Sequence, residues 1–372
     1  MKILKGLFFL VCCFSLNVYS KNVHVKVLSQ YNAKKVILNA FSDNYSIALA
    51  DDRILKISEG DIIVINAIGN SCSISKNGDL LGSYASIDLS SLASHPYFKM
   101  QMILPSMKTT FYQDNMRFTS NDSKLSIIND VELNHYVAGV IESEIGNVKN
   151  DELLKVQAVI SRTYALKHID RHKAEGFELC DQVHCQVYHG KARFNSMILP
   201  AVDSTHYEVI QDENGDLIEA VFHANCGGQT VNSEDVWSKK RSYLRSVVDT
   251  FCTTEKQAHW VKEIDKQKWL NFISMKSGKA TSNPCEFSNE FRLIKIPCAD
   301  VFTEDMRDEF RLRSTFFSVR ETQDKVILNG RGFGHGVGMC QEGSIKQAKL
   351  GIDYKAIIMF YYTTIQIVNI AI

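Results

Sequence analysis

The chain is short of proline, with five in 372 residues, and it carries no low-complexity tract. That excludes a linker-rich or disordered polypeptide. It has no excess of either charge: Lys plus Arg and Asp plus Glu number 42 each. No global field therefore points to nucleic acid or to an acidic membrane surface. No repeat of solenoid length recurs, which removes the stacked-repeat architectures. The apolar run at the N-terminus, Leu7 to Leu16, is shorter than the ~20 residues that a spanning helix needs. What is present suits a folded protein: 45% apolar and 23% charged residues, over a length that accommodates two domains.

The N-terminus reads as an export leader. Lys2 and Lys5 precede the apolar run, Asn17 follows it, and Val18 and Ser20 stand at −3 and −1 of a cut before Lys21. Cleavage there removes Cys12 and Cys13 and leaves Cys72, Cys180, Cys185, Cys226, Cys252, Cys285, Cys298 and Cys340. In an oxidising compartment these can pair, but a chain of this size does not need a disulfide framework, so metal ligation stays open.

From Lys21 to about Pro105 the pattern has period two, as in Val23, Val25 and Val27. Turns are marked at Asp51-Asp52, Glu59-Gly60-Asp61 and Asn77-Gly78. A small β-rich domain without a catalytic constellation is expected, serving as a packing or wall-binding module. Helical spacing begins near Asn134 and stops at Gly146. A second helix starts after Asn150 or Asp151 and runs through Leu153, Val156, Ile160 and Tyr164. Beyond it, Phe291 to Ile296 and Phe316 to Leu328 read as strands and Asp300 to Arg313 as a helix. Helices near Ser344 to Leu350 and from Asp353 precede a closing strand at Ile365 to Ile370. This mixed order predicts an α+β fold rather than a doubly wound sheet.

Four places can carry chemistry. Glu142 and Glu144 stand near the end of the first helix; residues two apart diverge on a helix, so at most one faces a pocket as a buried acid. The next helix brings Gln157, Ser161 and Arg162 close by. Cys180, His184 and Cys185, with His172 and His168 upstream, can reach one tetrahedral zinc ion, with His172, water or a distant group as fourth ligand. A Cys180–Cys185 disulfide is the competing reading. In the stretch from Asn329 to Met339 five alternating glycines allow positive φ around His335, without the βαβ context of a nucleotide site; no nucleotide cofactor is expected. Cys226, in the turn Asn225-Cys226-Gly227-Gly228, offers a thiol to His223 or His335, or a disulfide to a partner such as Cys252.

Taken together these segments resemble the SpoIID/LytB family. The carrying stretches are Val131 to Glu144, Leu153 to Ala165, Cys185-Gln186-Val187-Tyr188-His189-Gly190, Cys226-Gly227-Gly228-Gln229-Thr230, Tyr243-Leu244 with Val247 and Asp249, and Gly334 to Gln341. Their order and spacing match over about Leu125 to Ile370. The resemblance implies an exported, periplasmic or envelope-associated lytic transglycosylase. Such an enzyme cleaves peptidoglycan glycan strands stripped of stem peptides and leaves an anhydro sugar end.

The family's catalytic glutamate falls on Glu144, acid to the glycosidic oxygen and then base toward the sugar's own hydroxyl. Gln157, Arg162, Tyr188, His335 and Gln341 bind substrate or support the site. Some members bind zinc just before the Cys-Gln-Val-Tyr motif, where Cys180, His184 and Cys185 match. The implied organisation is a leader over 1–20, a β-rich domain over 21–120 and a SpoIID-like catalytic domain over 121–372. The name "amidase enhancer" in this family implies the other reading, a wall-binding partner that activates an amidase without cutting glycan. Two departures stand out. The family often has Ser at the positions of Cys226 and Cys340, which here are open to a local disulfide. The insertion from about Lys256 to Thr315, with Cys285 and Cys298, exceeds the family core.

Overall fold

The alternating valines form the strand Asn22–Val27, with Val23, Val25 and Val27 fully buried on one face. A computed structural model describes residues 21–40, 45–49, 53–92, 96–288 and 290–370. The leader expected over 1–20 and the turn at Asp51-Asp52 lie outside the described residues. Asn22–Val27 pairs antiparallel with Lys124–Glu132 and parallel with the two-residue strand Leu179–Cys180. These open a seven-stranded sheet that continues through Asn115–Asn121, Ser86–Ser91, Tyr45–Leu49 and Ile54–Ile57. A six-stranded sheet packs against it, in the order Thr110–Gln113, Tyr97–Leu104, Lys35–Ala40, Ile62–Ile68, Ser71–Lys76, Asp79–Tyr84. The last two strands are joined by Asn77-Gly78 at φ 53° and 98°, the left-handed pair that a two-residue hairpin requires.

Helix α1 (Leu133–Ile145) leaves the sheet directly after Glu132, whose side chain caps it by accepting the His135 N–H at 3.0 Å. It ends at Gly146, φ 65°. Helix α2 (Asp151–Lys167) is capped by Asn150, whose side chain accepts the Leu153 N–H at 3.0 Å, with Asp151 and Glu152 in the first turn. Helix α3 is Ile198–Ser204.

The 256–315 insertion, together with the two strands that follow it, builds a unit with its own core. Helices α4 (Lys266–Ser277) and α5 (Thr303–Phe310) accompany a three-stranded sheet of His259–Asp265, Lys325–Arg331 and Phe317–Glu321 around Trp269, Ile273, Met306 and Leu328. A disulfide joins Cys285 to Cys298. The strand expected at Phe291 to Ile296 does not form. Phe291 and Ile294 are exposed, and the stretch makes one bridge, Lys295 to Phe302. Arg292 is drawn inward, donating to the Cys226 carbonyl and to Thr315 Oγ1, which removes the period-two alternation that a strand needs.

The chain closes with α6 (Gln341–Lys349), α7 (Tyr354–Tyr361) and the strand Ile365–Asn369, which pairs antiparallel with Glu208–Asp212. Helix α2 is the spine between two apolar cores. Leu154 and Ala158 join the core that runs from Val23 to Val202, while Leu153, Val156, Val159 and Ile160 join one formed with Ile210, Val337, Met339 and Ile358. Each fully buried side chain of this kind contributes roughly 1.5–3 kcal/mol. The protein is α+β, and the N-terminal sheet takes strands from both sides of residue 120. Among the described residues no helix is long and apolar enough to cross a membrane.

Candidate functional site

Three consecutive side chains at the end of α1 hold the loop from Val187 to Asn195. The Glu142 carboxylate accepts the backbone N–H groups of Arg193, Phe194 and Asn195 at 2.7–3.2 Å. Ser143 Oγ donates to the Gly139 carbonyl at 2.7 Å and accepts the His189 N–H at 3.0 Å. Glu144 accepts one long bond, 3.3 Å from Val187 N. Burial raises its pKa above the ordinary glutamate value, against the opposing pull of the Val187 N–H and of His189. Of the two carboxylates, Glu142 is occupied by three backbone donors and Glu144 by one.

The loop lies so close to α1 that position 139 admits no side chain. A Cβ there would sit 2.2 Å from the Gly190 carbonyl and 2.5 Å from the Tyr188 ring. Gly139→Ala is therefore expected to push the loop off the helix and to lower stability by about 2 kcal/mol through overpacking. A urea unfolding midpoint reads that effect directly.

Tyr188 is fully buried, donates to Asn129 Oδ1 at 2.9 Å and packs 5.1 Å from the Tyr136 ring. It supports the loop from below. Beside it, Cys180 is held at the edge of the N-terminal sheet by pairing with Lys26. The Asp181 carboxylate locks the same strand by accepting the N–H groups of Leu28 and Ser29. Cys180 and Cys185 are free thiols, and their sulfurs stand 4.0 and 3.8 Å from His184 Nδ1. His172 completes a group whose ligand atoms all lie within 4.8 Å of one another. Its Nδ1 is 2.6 Å from Glu175 Oε1, and its Nε2 is buried without a hydrogen-bond partner among the described residues. A carboxylate on one imidazole nitrogen and a bare second nitrogen is the arrangement that metal-ligating histidines adopt.

Burial pushes the Tyr136 phenol well up, helped by Cys185, Cys180, Tyr164 and Glu144. Glu144, the thiols and Tyr164 thus lie in one electrostatic neighbourhood. Tyr164 opens a cleft of about 290 Å³ that is also lined by His168, Arg171, Glu219, Trp237, Lys239 and Arg241. Arg171 donates to the His184 carbonyl and so joins the cleft to the Cys–His group. Gln157 and Ser161, one turn apart on α2, are fully buried with side-chain polar atoms unpartnered among the described residues. Each such group costs about 1–3 kcal/mol if left dry. Arg162 is enclosed altogether. Its guanidinium donates to Thr205 Oγ1, the Glu208 carbonyl, Asn134 Oδ1 and the Val202 carbonyl at 3.0–3.1 Å. Burial lowers its pKa to about 10. Arg162 supports the helices and does not reach solvent.

The glycine stretch forms the loop from Gly332 to Gly338, whose four glycines take positive φ. The fifth, Gly330, does not. It lies in the strand Lys325–Arg331, where a Cβ would strike the Trp260 indole at 1.9 Å. In this loop His335 Nδ1 accepts the Val337 N–H at 3.0 Å, so Nε2 bears the proton and donates to the Phe222 carbonyl, also at 3.0 Å. Both ring nitrogens are used within the protein, and the ring packs 5.0 Å from Trp237. Gln341 opens α6, and its Nε2 lacks a partner among the described residues.

Burial holds the His335 pKa down to about 4, against the bond to Phe222. The unfolded imidazole titrates near 6.5, so the folded-state contribution is complete above that pH and declines as pH falls toward 4. Its full size is at most roughly 3 kcal/mol, reduced by the ring's exposed edge. The stability gap between the wild type and His335→Gln, from urea unfolding, is expected to narrow between pH 7 and 4.

Two expectations about Cys226 change. The residue is fully buried, with its sulfur 3.3 Å from both Asp249 Oδ2 and the Cys252 sulfur, and these cysteines are free thiols. A nucleophile so enclosed cannot meet a polymer; His335 has no free nitrogen to activate it, and His223, whose Nε2 lacks a partner among the described residues, is buried as well. The cleft residues Trp237, Arg171 and Glu219 escaped the sequence reading. Trp237, an aromatic side chain in the polar run Ser233-Glu234-Asp235-Val236-Trp237-Ser238, was the available signal.

The site of this α+β chain thus combines a half-buried glutamate with a single backbone donor, a thiol–imidazole group, and a cleft that Arg171 joins to that group. The family model described as "SpoIID: Stage II sporulation protein" matches residues 121–211. An uncharacterized protein of Brachyspira hyodysenteriae is 31% identical over 268 residues, 69% of this chain and 72% of that one. Stage II sporulation protein D of Bacillus subtilis is 28% identical over 270 residues, 67% of this chain and 77% of that one. An amidase enhancer of the same organism is 27% identical over 282 residues, 60% of this chain but 39% of that longer protein. The chain belongs to the SpoIID/LytB family.

Proposed function

We propose that the protein is a lytic transglycosylase of exported location that cleaves denuded peptidoglycan strands with Glu144 as its single acid and base. The observation that carries this reading is the division of labour at the end of α1. Glu142 is held by three N–H donors, while Glu144 keeps one long bond and a raised pKa. Protonated Glu144 gives its proton to the glycosidic oxygen as the bond to the anomeric carbon breaks. The resulting carboxylate takes the proton of the same sugar's hydroxyl as that oxygen closes onto the anomeric carbon. The leaving strand keeps the first proton, Glu144 ends protonated, and no water is consumed. This chemistry needs no second carboxylate, unlike hydrolysis by a carboxylate pair. Trp237 and Tyr164 give the cleft apolar faces with polar edges, suited to sugar rings.

His172, Cys180, His184 and Cys185 hold a zinc ion in this reading, since two thiols, two imidazoles and the Glu175 support make a zinc donor set. Four protein ligands leave no open position, so the bound ion supplies a cross-link rather than a reacting water. That cross-link would fasten the segment whose Val187 N–H meets Glu144. The second reading is a non-catalytic wall protein that activates an amidase, favoured by the likeness to the amidase enhancer. Purified protein incubated with denuded glycan strands separates the two. Anhydro-ended fragments from the wild type and none from Glu144→Gln support the enzyme. Stimulation of an amidase by both proteins, with no fragments from either, supports the activator.

A further inference from the structure

The geometry points to a second metal site, in which Cys226, Asp249, Cys252 and Cys340 ligate one divalent zinc-class cation inside the C-terminal lobe. The four ligand atoms lie within 4.8 Å of one another, and all four residues are completely buried. They come from three distant segments. Cys226 follows the strand Phe222–His223; Asp249 and Cys252 begin and end the short turn of 3-10 helix Thr250–Cys252; Cys340 is the N-cap of α6. None of them takes part in the glycan chemistry, so this site stands independently of that proposal.

Three thiols and a carboxylate are packed together out of water, and a buried carboxylate without counter-charge is among the costliest things a fold can contain. The nearby cation, Arg292, donates to the Cys226 carbonyl and to Thr315 rather than to the carboxylate. The groups that do reach the cluster suit anionic ligands. Cys340 Sγ accepts the N–H groups of Cys226 and Gly343 at 3.3 Å. Asp249 takes the Tyr361 hydroxyl at 2.9 Å and the Phe251 N–H at 3.0 Å. One Asp249 oxygen, Oδ2, faces the Cys226 sulfur at 3.3 Å.

A disulfide explains less. It consumes two of the three sulfurs and leaves the carboxylate buried without a counter-charge, held only by the Tyr361 hydroxyl, the Phe251 N–H and any remaining thiol. A cation accounts for all four at once, and three thiolates with one carboxylate and no open position describe a closed zinc-type site. Binding releases three thiol protons to solvent and leaves the carboxylate ionised. Position 343 also fits, because a Cβ there would lie 2.3 Å from Asp249 Oδ2, so only glycine lets α6 approach the carboxylate. The bound ion would tie together the parallel strands Phe222–His223 and Met339–Cys340, from which the His335 loop is hung.

The test separates this site from the Cys180 group. The full chain carrying Cys180→Ser and Cys185→Ser, purified without chelator, is expected to retain about one zinc per chain by elemental analysis. Adding Cys226→Ser and Cys340→Ser is expected to remove it. If the fourfold variant does not fold, cobalt replaces zinc in the twofold variant, where thiolate-to-cobalt charge transfer and intense tetrahedral d–d bands are expected. No metal in the twofold variant, a cobalt spectrum without thiolate bands, or a mapped Cys226–Cys252 disulfide in native protein overturns the proposal.

Discussion

Glu144→Gln is expected to lower the rate of strand cleavage by at least about 10³-fold while leaving the fold intact. A positioned general acid contributes roughly 10²–10⁴-fold, and here one carboxylate serves both proton transfers. Glutamine keeps the volume and the acceptor for Val187 N, so stability should change little. Glu142→Gln is the informative companion. The N–H groups of Arg193, Phe194 and Asn195 all donate to Oε1, so the glutamine amide oxygen can keep them while its NH2 opposes the Arg193 N–H that Oε2 shared. The substitution should cost about 1–3 kcal/mol in stability and slow cleavage only through the loosened loop.

The pH profile carries the sign. Only protonated Glu144 can begin the reaction, and burial raises its pKa. The alkaline limb should therefore lie above that of an ordinary glutamate, with the rate falling as pH rises through the raised value. Mass spectrometry of the fragments at a series of pH values measures both. Near-normal cleavage by Glu144→Gln together with loss in Glu142→Gln would reverse the roles assigned to the two carboxylates.

How far the sequence reaches depends on the range of the interaction that places each residue. The two central helices were legible because their determinants are local: apolar spacing, Asn150 at one cap and Gly146 at the other end. That Glu142 and Glu144 must diverge was also legible from helix geometry. Which of them stays available was not, because it depends on N–H groups about 50 residues away in a loop of no regular structure. The segment Phe291 to Ile296 has strand composition, but Arg292 is held inside by a carbonyl 66 residues distant, and composition carries no trace of that pull. Gly330 looked like its four neighbours in the glycine stretch and serves a different need, room for Trp260. Around Cys226 the sequence offered Cys252 and Cys340 as disulfide partners, but not that both sulfurs and Asp249 gather on it at once. Cys226 and Cys340 are 114 residues apart and meet only through the parallel pairing of two dipeptide strands.

Arg162 gives the largest expected effect on stability. It sits in the middle of α2 with no exposed surface, and its four bonds go to α1 through Asn134, to the end of α3 through Val202 and Thr205, and to the next strand through Glu208. None of these partners is a carboxylate, so the charge is carried by oriented neutral oxygens, with Glu132, Glu208 and Asp203 acting from farther off. Truncation removes the donor to four buried acceptors and opens a cavity.

Each orphaned acceptor costs about 1–3 kcal/mol, and even partial relaxation leaves Arg162→Ala roughly 4 kcal/mol or more less stable. That is a large fraction of the 5–15 kcal/mol typical of a folded domain. Arg162→Lys keeps a charge but offers a single nitrogen where two are used, so it should recover part of the loss and not all. Urea unfolding of the three proteins reads the series. A substrate-binding role predicts something else, wild-type stability with weakened glycan binding, and that result would move Arg162 from the scaffold to the site. The bonds already made argue against it: the two terminal nitrogens each hold two protein oxygens, the one unpartnered hydrogen, on Nε, is buried, and the helix that carries the residue separates the two cores.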